Sequence, residues 1–254
     1  MTAPLVAICA FGFFASVVDA VAGGGGLISI PALFIFLPGA SPALIFGTNK
    51  FASSCGSGAA VARYAASKKI VWNVAIPAGI LAFIFAILGA RTVSMLDKNL
   101  IRPLILVLLI VVAVYTFLNK DIGKIHAPKL ERKREIGIAI VMGAVLGFYE
   151  GFFGPGAGSF LVFALVGLFG YDYLSASATG RFINFTATFA ALLYFIFAKT
   201  VLYNIAIPMA VANVAGGMVG SRLAIKHGGS FIRTLFLIVL IAVLAKLTWD
   251  TVKP

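Results

Sequence analysis

Polar residues recur in this chain at a fixed offset of 131 residues, and this repeat constrains the fold more than any other feature. Within apolar segments, Lys50 falls on Arg181 and Asp19 falls on Glu150. Further matches are Thr48 with Thr179, Asn73 with Asn204, Pro77 with Pro208, Arg91 with Arg222, and Arg102 with Arg233. Matched charges in a duplicated membrane unit are typical of a transporter with one site at the repeat interface.

The composition predicts an all-α integral membrane protein. Hydrophobic residues make up 61% of the chain and charged residues only 11%, whereas a soluble domain is about 25% charged. The stretches 99–118, 136–154 and 231–247 carry few charges and are long enough to cross hydrocarbon. The net charge of +12 fits basic loops that orient helices, so we expect membrane lipid and no nucleic acid as a partner.

Each half contains five hydrophobic segments, which predicts about eight to ten membrane segments. They cover 4–22, 27–38, 43–66, 72–91 and 100–118, then 137–153, 157–170, 174–198, 203–221 and 231–249. The second segment of each half follows glycine-rich sequence and is too short to span comfortably. It is predicted to be a re-entrant half-helix or one leg of a hairpin within the membrane.

The polar stretch 119–135 divides the chain into repeat 1 (1–118) and repeat 2 (136–254). Its excess of Lys and Arg predicts a cytoplasmic linker. An odd number of crossings in each repeat would then make the repeats inverted. The basic residues near Arg63 and Lys199 fit that arrangement, whereas an outside position for Arg91 does not.

Glycine-rich breaks follow the first hydrophobic segment of each half and precede the second. Four consecutive glycines cost about 1 kcal/mol each relative to alanine in a helix, and such breaks persist at membrane depth only where protein covers them or water reaches them. A helix that begins after a break presents N–H groups suited to an anion. Packing through small residues is the alternative, and it explains two matched breaks poorly. The predicted substrate-binding residues here are Gly23, Gly24, Gly25, Gly26, Gly154, Pro155, Gly156 and Ser159.

Lys50 and Arg181 are cations inside apolar segments, and each costs at least about 2.5 kcal/mol on insertion scales. They therefore need an internal carboxylate or an anionic substrate, unless they snorkel to an interface. Neighbouring hydroxyl and amide groups could donate to an oxyanion. We predict substrate binding by Thr48, Asn49, Lys50, Thr179, Arg181 and Asn184.

Asp19 and Glu150 are the acidic residues that lie well within hydrophobic segments. They are predicted to be counter-ions of the two cations or proton-coupling residues. A structural role, bonded to backbone freed at the glycine break, is a third interpretation. Glu150 is the better proton-coupling candidate because it lies beside the break that contains proline.

No catalytic, metal or cofactor site is predicted. The chain contains no catalytic triad pattern and no phosphate-binding loop, since Gly23–Gly26 lacks a following Gly-Lys-Ser/Thr. Cys9 and Cys55 have no CxxC spacing and are predicted to be small buried residues. An enzyme is therefore not expected.

The chain resembles the sulfite exporter TauE/SafE family along essentially its whole length. The motifs are 19–26, Gly47-Thr48-Asn49-Lys50, Arg63-Tyr64, Gly89-Ala90-Arg91, 147–156 and Gly220-Ser221-Arg222. The family commonly has Asp where this chain has Glu150, and often Thr where it has Ala157. The resemblance implies a bacterial or archaeal inner-membrane transporter of sulfite, sulfonates or related anions, coupled to protons.

We therefore expect a proton-coupled secondary transporter, an exporter of sulfite, sulfoacetate or another organosulfonate, that works by alternating access at a site between the repeats. An anion channel and a transporter of a non-sulfur organic anion are the alternatives. A homodimer is compatible with the sequence, although no residue argues for it.

Overall fold

The computed structural model describes residues 2–67, 69–95 and 131–227, and within these ranges the chain forms eight helices and no strand. They are α1 (Thr2–Ala22), α2 (Gly26–Phe36), α3 (Pro42–Ala66), α4 (Trp72–Ser94), α5 (Arg132–Phe152), α6 (Ala157–Gly167), α7 (Tyr173–Phe197) and α8 (Tyr203–His227). The predicted segments 100–118 and 231–249 lie outside the described residues. The all-helical prediction is confirmed.

Five of these helices (α1, α4, α5, α7 and α8) are long and apolar enough to cross a membrane. The helix starts follow local capping. Ser41 caps α3 with Pro42 at its first position, and the Asp172 side chain accepts from the N–H groups of Leu174 and Ser175. Helix α5 begins at Arg132, inside the stretch that the sequence assigns to the linker.

Short helices α2 and α6 fold back along the helices that precede them. The chain reverses at Gly23 and Gly154, whose φ angles are +78° and +94°. Gly25 then lies against Ala15, and the Phe36 ring lies 6.0 Å from Phe11 near the other end of α2. Both short segments are therefore legs of helical hairpins, which is one of the two expected forms.

The tips of the two hairpins (23–25 and 154–156) meet inside the bundle. The Ser159 N–H donates to the Gly23 carbonyl at 3.0 Å, and Gly26 lies against Pro155. Because the tips meet end to end, α1 and α5 enter the bundle from opposite faces.

Helices of one half pack in parallel against helices of the other. In α4 and α5, Ala78, Ala82 and Ala86 face Gly143, Gly147 and Gly151 in the same order. In α1 and α8, Gly12 faces Met209 and Gly220 faces Val17. The two halves are thus interlocked rather than side by side.

These directions define a linker face, at which α5 begins, and an opposite distal face. Helices α3, α6 and α8 end at the linker face. For α6 this is illustrated by Tyr171, which follows the helix and donates a hydrogen bond to Glu135 near the start of α5. The described basic residues outside the buried site are distributed unevenly. The linker face carries Arg63, Lys69, Arg132, Lys133, Arg134, Arg222 and Lys226, and the distal face carries Arg91 and Lys199.

Candidate functional site

A cavity of about 30 Å³ lies where the hairpin tips meet α3 and α7. It has room for roughly two water molecules. Its lining consists of Ala15, Ser16, Asp19, Gly23, Gly25, Gly26, Ser29, Ile30, Asn49, Lys50, Ser53, Ser57, Glu150, Gly154, Gly158, Asn184, Thr188 and Asn213. Most of these residues are polar or glycine, which is unusual inside an apolar helical bundle.

One buried ion pair, which we call the Lys50 centre, adjoins this cavity. Lys50 Nζ lies 2.6 Å from Glu150 Oε1 and donates a second bond, also 2.6 Å, to the Glu150 backbone oxygen. Thr188 Oγ1 donates to the same carboxylate oxygen at 2.6 Å. The exposed fractions of the Lys50 and Glu150 side chains are only 3% and 7%, so the charges neutralise each other away from water.

A second ion pair, the Arg181 centre, is built from the same kinds of group: a cation, a carboxylate and a hydroxyl. The Arg181 guanidinium bonds Asp19 Oδ2, and Ser57 Oγ donates to that oxygen at 3.2 Å. The Gly25 backbone N–H donates to Asp19 Oδ1, also at 3.2 Å. Asp19 therefore receives bonds from a cation, a hydroxyl and the start of α2.

Each centre joins a cation of one half to a carboxylate of the other. Lys50 precedes the linker and Glu150 follows it, whereas Asp19 precedes it and Arg181 follows it. Because the charged ends form these pairs, neither cation snorkels to an interface. The geometry is that of the counter-ion interpretation. For Asp19 it is also that of the structural interpretation, because the Gly25 N–H at the glycine break donates to its carboxylate. A proton-coupling role for the carboxylates stays a prediction.

The Lys50 centre depends on a glycine at position 154. Gly154 has a φ of +94°, and a Cβ there would lie 2.8 Å from Lys50 Nζ. A larger residue would thus be strained and would also press on the ammonium group.

The structure brings together more than half of the predicted site residues. Those that line the cavity are Asp19, Gly23, Gly25, Gly26, Asn49, Lys50, Glu150, Gly154 and Asn184. Outside the lining lie Gly24, Thr48, Pro155, Gly156, Ser159, Thr179 and Arg181. Arg181 acts at the cavity only through Asp19, which does line it.

Thr48 and Thr179 occupy a different environment from the one expected for anion donors. The Thr48 hydroxyl accepts from the Leu202 N–H at 3.0 Å, and the Thr179 hydroxyl accepts from the Val71 N–H, also at 3.0 Å. Both threonines therefore hold the segments that lead into α8 and α4.

Sequence reasoning missed several polar residues of the site. Ser57 and Thr188 are themselves 131 residues apart, so the repeat contained the signal that would have found them. Asn213 stands where the first half has Ala82, and no such signal marks it. The other missed residues with polar side chains are Ser16, Ser29 and Ser53.

Apolar clusters lie on both sides of the site, one toward each face. Toward the linker face, Tyr64 packs with Val21, Ala75 and Ala178, and its hydroxyl donates to the Ala20 carbonyl at 2.8 Å. The distal cluster is larger and contains Phe46, Phe153, Phe195, Val201 and Ala206. Apolar side chains therefore separate the site from each face over the described residues.

Comparison with known proteins identifies related membrane transporters. The family model for the sulfite exporter TauE/SafE matches residues 8–247. The probable membrane transporter protein ORF9 of Sinorhizobium sp is 33% identical over 95% of this chain and 91% of its own length.

Two further relatives are similar over most of their length. The probable membrane transporter protein YfcA of Escherichia coli (strain K12) is 33% identical over 93% of this chain and 87% of its own. A probable membrane transporter protein of Haemophilus influenzae is 29% identical over 94% and 92%. No solved structure is detectably similar. With its membrane-spanning helices, the chain belongs to the sulfite exporter TauE/SafE family and is a multi-pass bacterial membrane transporter for a small anion.

Proposed function

We propose that the protein is a secondary transporter that exports a small sulfur-containing anion, such as sulfite, sulfoacetate or another organosulfonate, together with protons. The observation that carries this proposal is the pair of ion-paired centres, each formed between the two halves around one cavity. Each centre holds a cation whose charge is balanced by a carboxylate, which is itself an oxyanion. A substrate oxyanion can therefore take the place of that carboxylate.

Proton coupling follows from this exchange. A carboxylate that loses its cation in a low-dielectric site is destabilised by several kcal/mol as a charged group. Glu150, with its side chain 7% exposed, would then be stable only as the neutral acid. Binding of one anion would thus be accompanied by uptake of one proton.

Alternating access requires two bodies that move relative to each other. The sequence alone suggests that repeat 1 rocks against repeat 2, but helix packing favours a different division. One apolar cluster lies within α4–α7, including Val74, Met142, Leu165 and Ile183. Another lies within α1–α3 and α8, including Ile8, Leu33, Ile45 and Met209. We propose these two groups of helices as the bodies, with the cavity between them.

Orientation follows from the distribution of basic residues. Among the described basic residues outside the buried site, seven lie at the linker face and two at the distal face, which supports a cytoplasmic linker in the inner membrane. Export then runs from the linker face to the distal face.

A flux screen in proteoliposomes tests the proposal. Purified protein would be offered sulfite, thiosulfate, sulfate, sulfoacetate, taurine and simple carboxylates, with and without a pH gradient. We expect saturable flux of at least one sulfur oxyanion that responds to the gradient. No saturable response to any of them would contradict the substrate class.

The variant Glu150→Gln separates a coupled transporter from a channel. In a transporter it weakens the pH dependence of flux because the proton acceptor is lost, whereas in a channel the dependence is unchanged. Lys69→Met, at an exposed residue of the linker face, is the matched control.

A further inference from the structure

We infer that the Lys50 centre and the Arg181 centre are two successive stations for one anion, at different depths, rather than two sides of a single site. This inference rests on the proposed function and specifies how its site is used. It is carried by the positions of the two ion pairs along α3 and α7.

Helices α3 and α7 run antiparallel through the middle of the bundle. Gly47, near the start of α3, lies against Phe195 near the end of α7, and Gly58 lies against the Phe185 ring. Lys50 follows the start of α3 by eight residues, and Arg181 follows the start of α7 by eight residues. Since α3 begins at the distal face and α7 at the linker face, the two cations belong to opposite depths.

The positions of the hydroxyl groups that bond the two carboxylates show how far apart the two centres lie along α3 and α7. Ser57, in the Arg181 centre, follows Lys50 by seven residues on α3. Thr188, in the Lys50 centre, follows Arg181 by seven residues on α7. Seven residues of helix correspond to about 10 Å.

A single small oxyanion cannot contact cations at both depths. Hydrogen bonds between an ammonium or guanidinium group and an oxyanion are about 2.8 Å long. Sulfite therefore contacts one centre at a time. The cavity runs between them, because Asp19 and Ser57 line it together with Lys50 and Thr188.

Movement between stations conserves charge if each carboxylate exchanges with the anion. At the Arg181 centre the anion displaces Asp19, which takes up a proton. When the anion moves to the Lys50 centre, it displaces Glu150, and the proton of Asp19 passes to Glu150 through the cavity that both carboxylates line, so that Asp19 pairs again with Arg181. No bond of the anion is formed or broken, and one proton accompanies it at each station. Export would use the Arg181 centre first.

Binding stoichiometry tests this inference. In the double variant Asp19→Asn/Glu150→Gln, both competing carboxylates are neutral and both cations are free. Titration calorimetry of the purified protein with sulfite should then give two ions bound per chain. A single shared site gives one ion, and that result would overturn the inference.

Variants that neutralise one whole centre locate the stations and guard against misfolding from a stranded charge. Lys50→Met/Glu150→Gln and Arg181→Met/Asp19→Asn should each bind one sulfite within about tenfold of the wild-type Kd, a difference of 1.4 kcal/mol. Both should lose net flux, because each path lacks a station. The variant with all four substitutions should bind none, and Lys69→Met should behave as wild type.

Two results would overturn the inference while leaving the proposed function intact. One is loss of sulfite binding in either paired variant. The other is that wild-type protein binds sulfoacetate but not sulfite, and that either paired variant loses this binding. A dianion bridging both cations would produce that pattern. If wild-type protein itself neither binds nor transports any sulfur oxyanion, the proposed function fails as well.

Discussion

The Lys50 centre and the Arg181 centre contain the same three groups at repeat-matched positions, yet the additional hydrogen bonds fall on opposite partners. At the Lys50 centre the cation has the extra bond, to the backbone oxygen of Glu150. At the Arg181 centre the carboxylate has it, from the Gly25 N–H. Asp19 is also the more accessible carboxylate, with a side chain 17% exposed against 7% for Glu150.

This difference shows that matched residues need not be energetically equivalent. Asp19 without Arg181 would keep a hydroxyl, a backbone N–H and some access to water. Glu150 without Lys50 would keep only the Thr188 hydroxyl among the bonds described. The Lys50 centre should therefore tolerate loss of its cation less well.

The largest expected effect comes from removing the cations one at a time. Lys50→Met and Arg181→Met each strand a buried carboxylate, which costs about 3–5 kcal/mol. We expect the loss of stability to be at the upper end of this range for Lys50→Met and at the lower end for Arg181→Met. Thermal unfolding in detergent measures both. Adding Glu150→Gln to Lys50→Met should restore much of the loss. An equal or larger loss of stability in Arg181→Met would contradict the inference that the Lys50 centre tolerates loss of its cation less well.

The two hairpin tips provide the next test. A Cβ at Gly23 would lie 2.2 Å from the Gly158 backbone, which cannot move aside, whereas a Cβ at Gly154 would meet the flexible end of Lys50. Both positions also impose a left-handed conformation that costs about 1–2 kcal/mol for alanine. Gly23→Ala should therefore lower the free energy of unfolding more than Gly154→Ala.

The control for the tips is Gly39→Ala, because Gly39 is exposed and a Cβ there would have no neighbour within 4 Å. It should leave the unfolding temperature unchanged. Equal destabilisation by Gly23→Ala and Gly154→Ala would show that the contact between the tips is not rigid.

Removal of the hydroxyl donors should have a smaller effect. Thr188 Oγ1 donates to Glu150 at 2.6 Å, and Ser57 Oγ donates to Asp19 at 3.2 Å. Hydrogen bonds to charged groups contribute about 1.5–3 kcal/mol. Thr188→Val should cost an amount in this range, and Ser57→Ala should cost less, since Asp19 has another donor. The reverse order in chemical or thermal unfolding would count against the proposed asymmetry.

Sequence reasoning predicted those parts of the molecule that contain residues with a high energetic cost in a membrane helix. Lys50 and Glu150 are too costly in hydrocarbon to be unpaired, so their presence indicated an internal site. The run at Gly23–Gly26 interrupts a helix wherever it occurs, so a hairpin or a re-entrant helix was foreseeable. The role of these residues in binding stays a prediction, as does the duplication itself.

Inter-helix packing could not be predicted in the same way. The contact between α4 and α5 is formed by Ala82 against Gly147 and similar pairs, and small residues of this kind occur throughout the chain. Their choice of partner depends on close approach in three dimensions, which leaves no distinctive pattern. For this reason the interlocking of the halves, and the place of Asn213 in the cavity, came only from the structure.

The smallest expected effect concerns the loops that follow the two hairpins. Tyr171 stands where the first half has Ala40, and its hydroxyl donates to Glu135 near the start of α5. Burial, and then the bond to Glu135, raise the pKa of Tyr171 well above its usual range. The folded protein therefore holds this proton more tightly than the unfolded chain, so the contribution to stability is complete below about pH 10 and is lost at higher pH.

Tyr171→Phe should lower the free energy of unfolding by about 1 kcal/mol at neutral pH. The difference in unfolding free energy between wild type and Tyr171→Phe should narrow above pH 10 in thermal unfolding. The control Tyr203→Phe, at an exposed ring of the distal face, should show neither effect. A gap that is constant up to pH 11 would mean that the Tyr171 proton does not stabilise this loop.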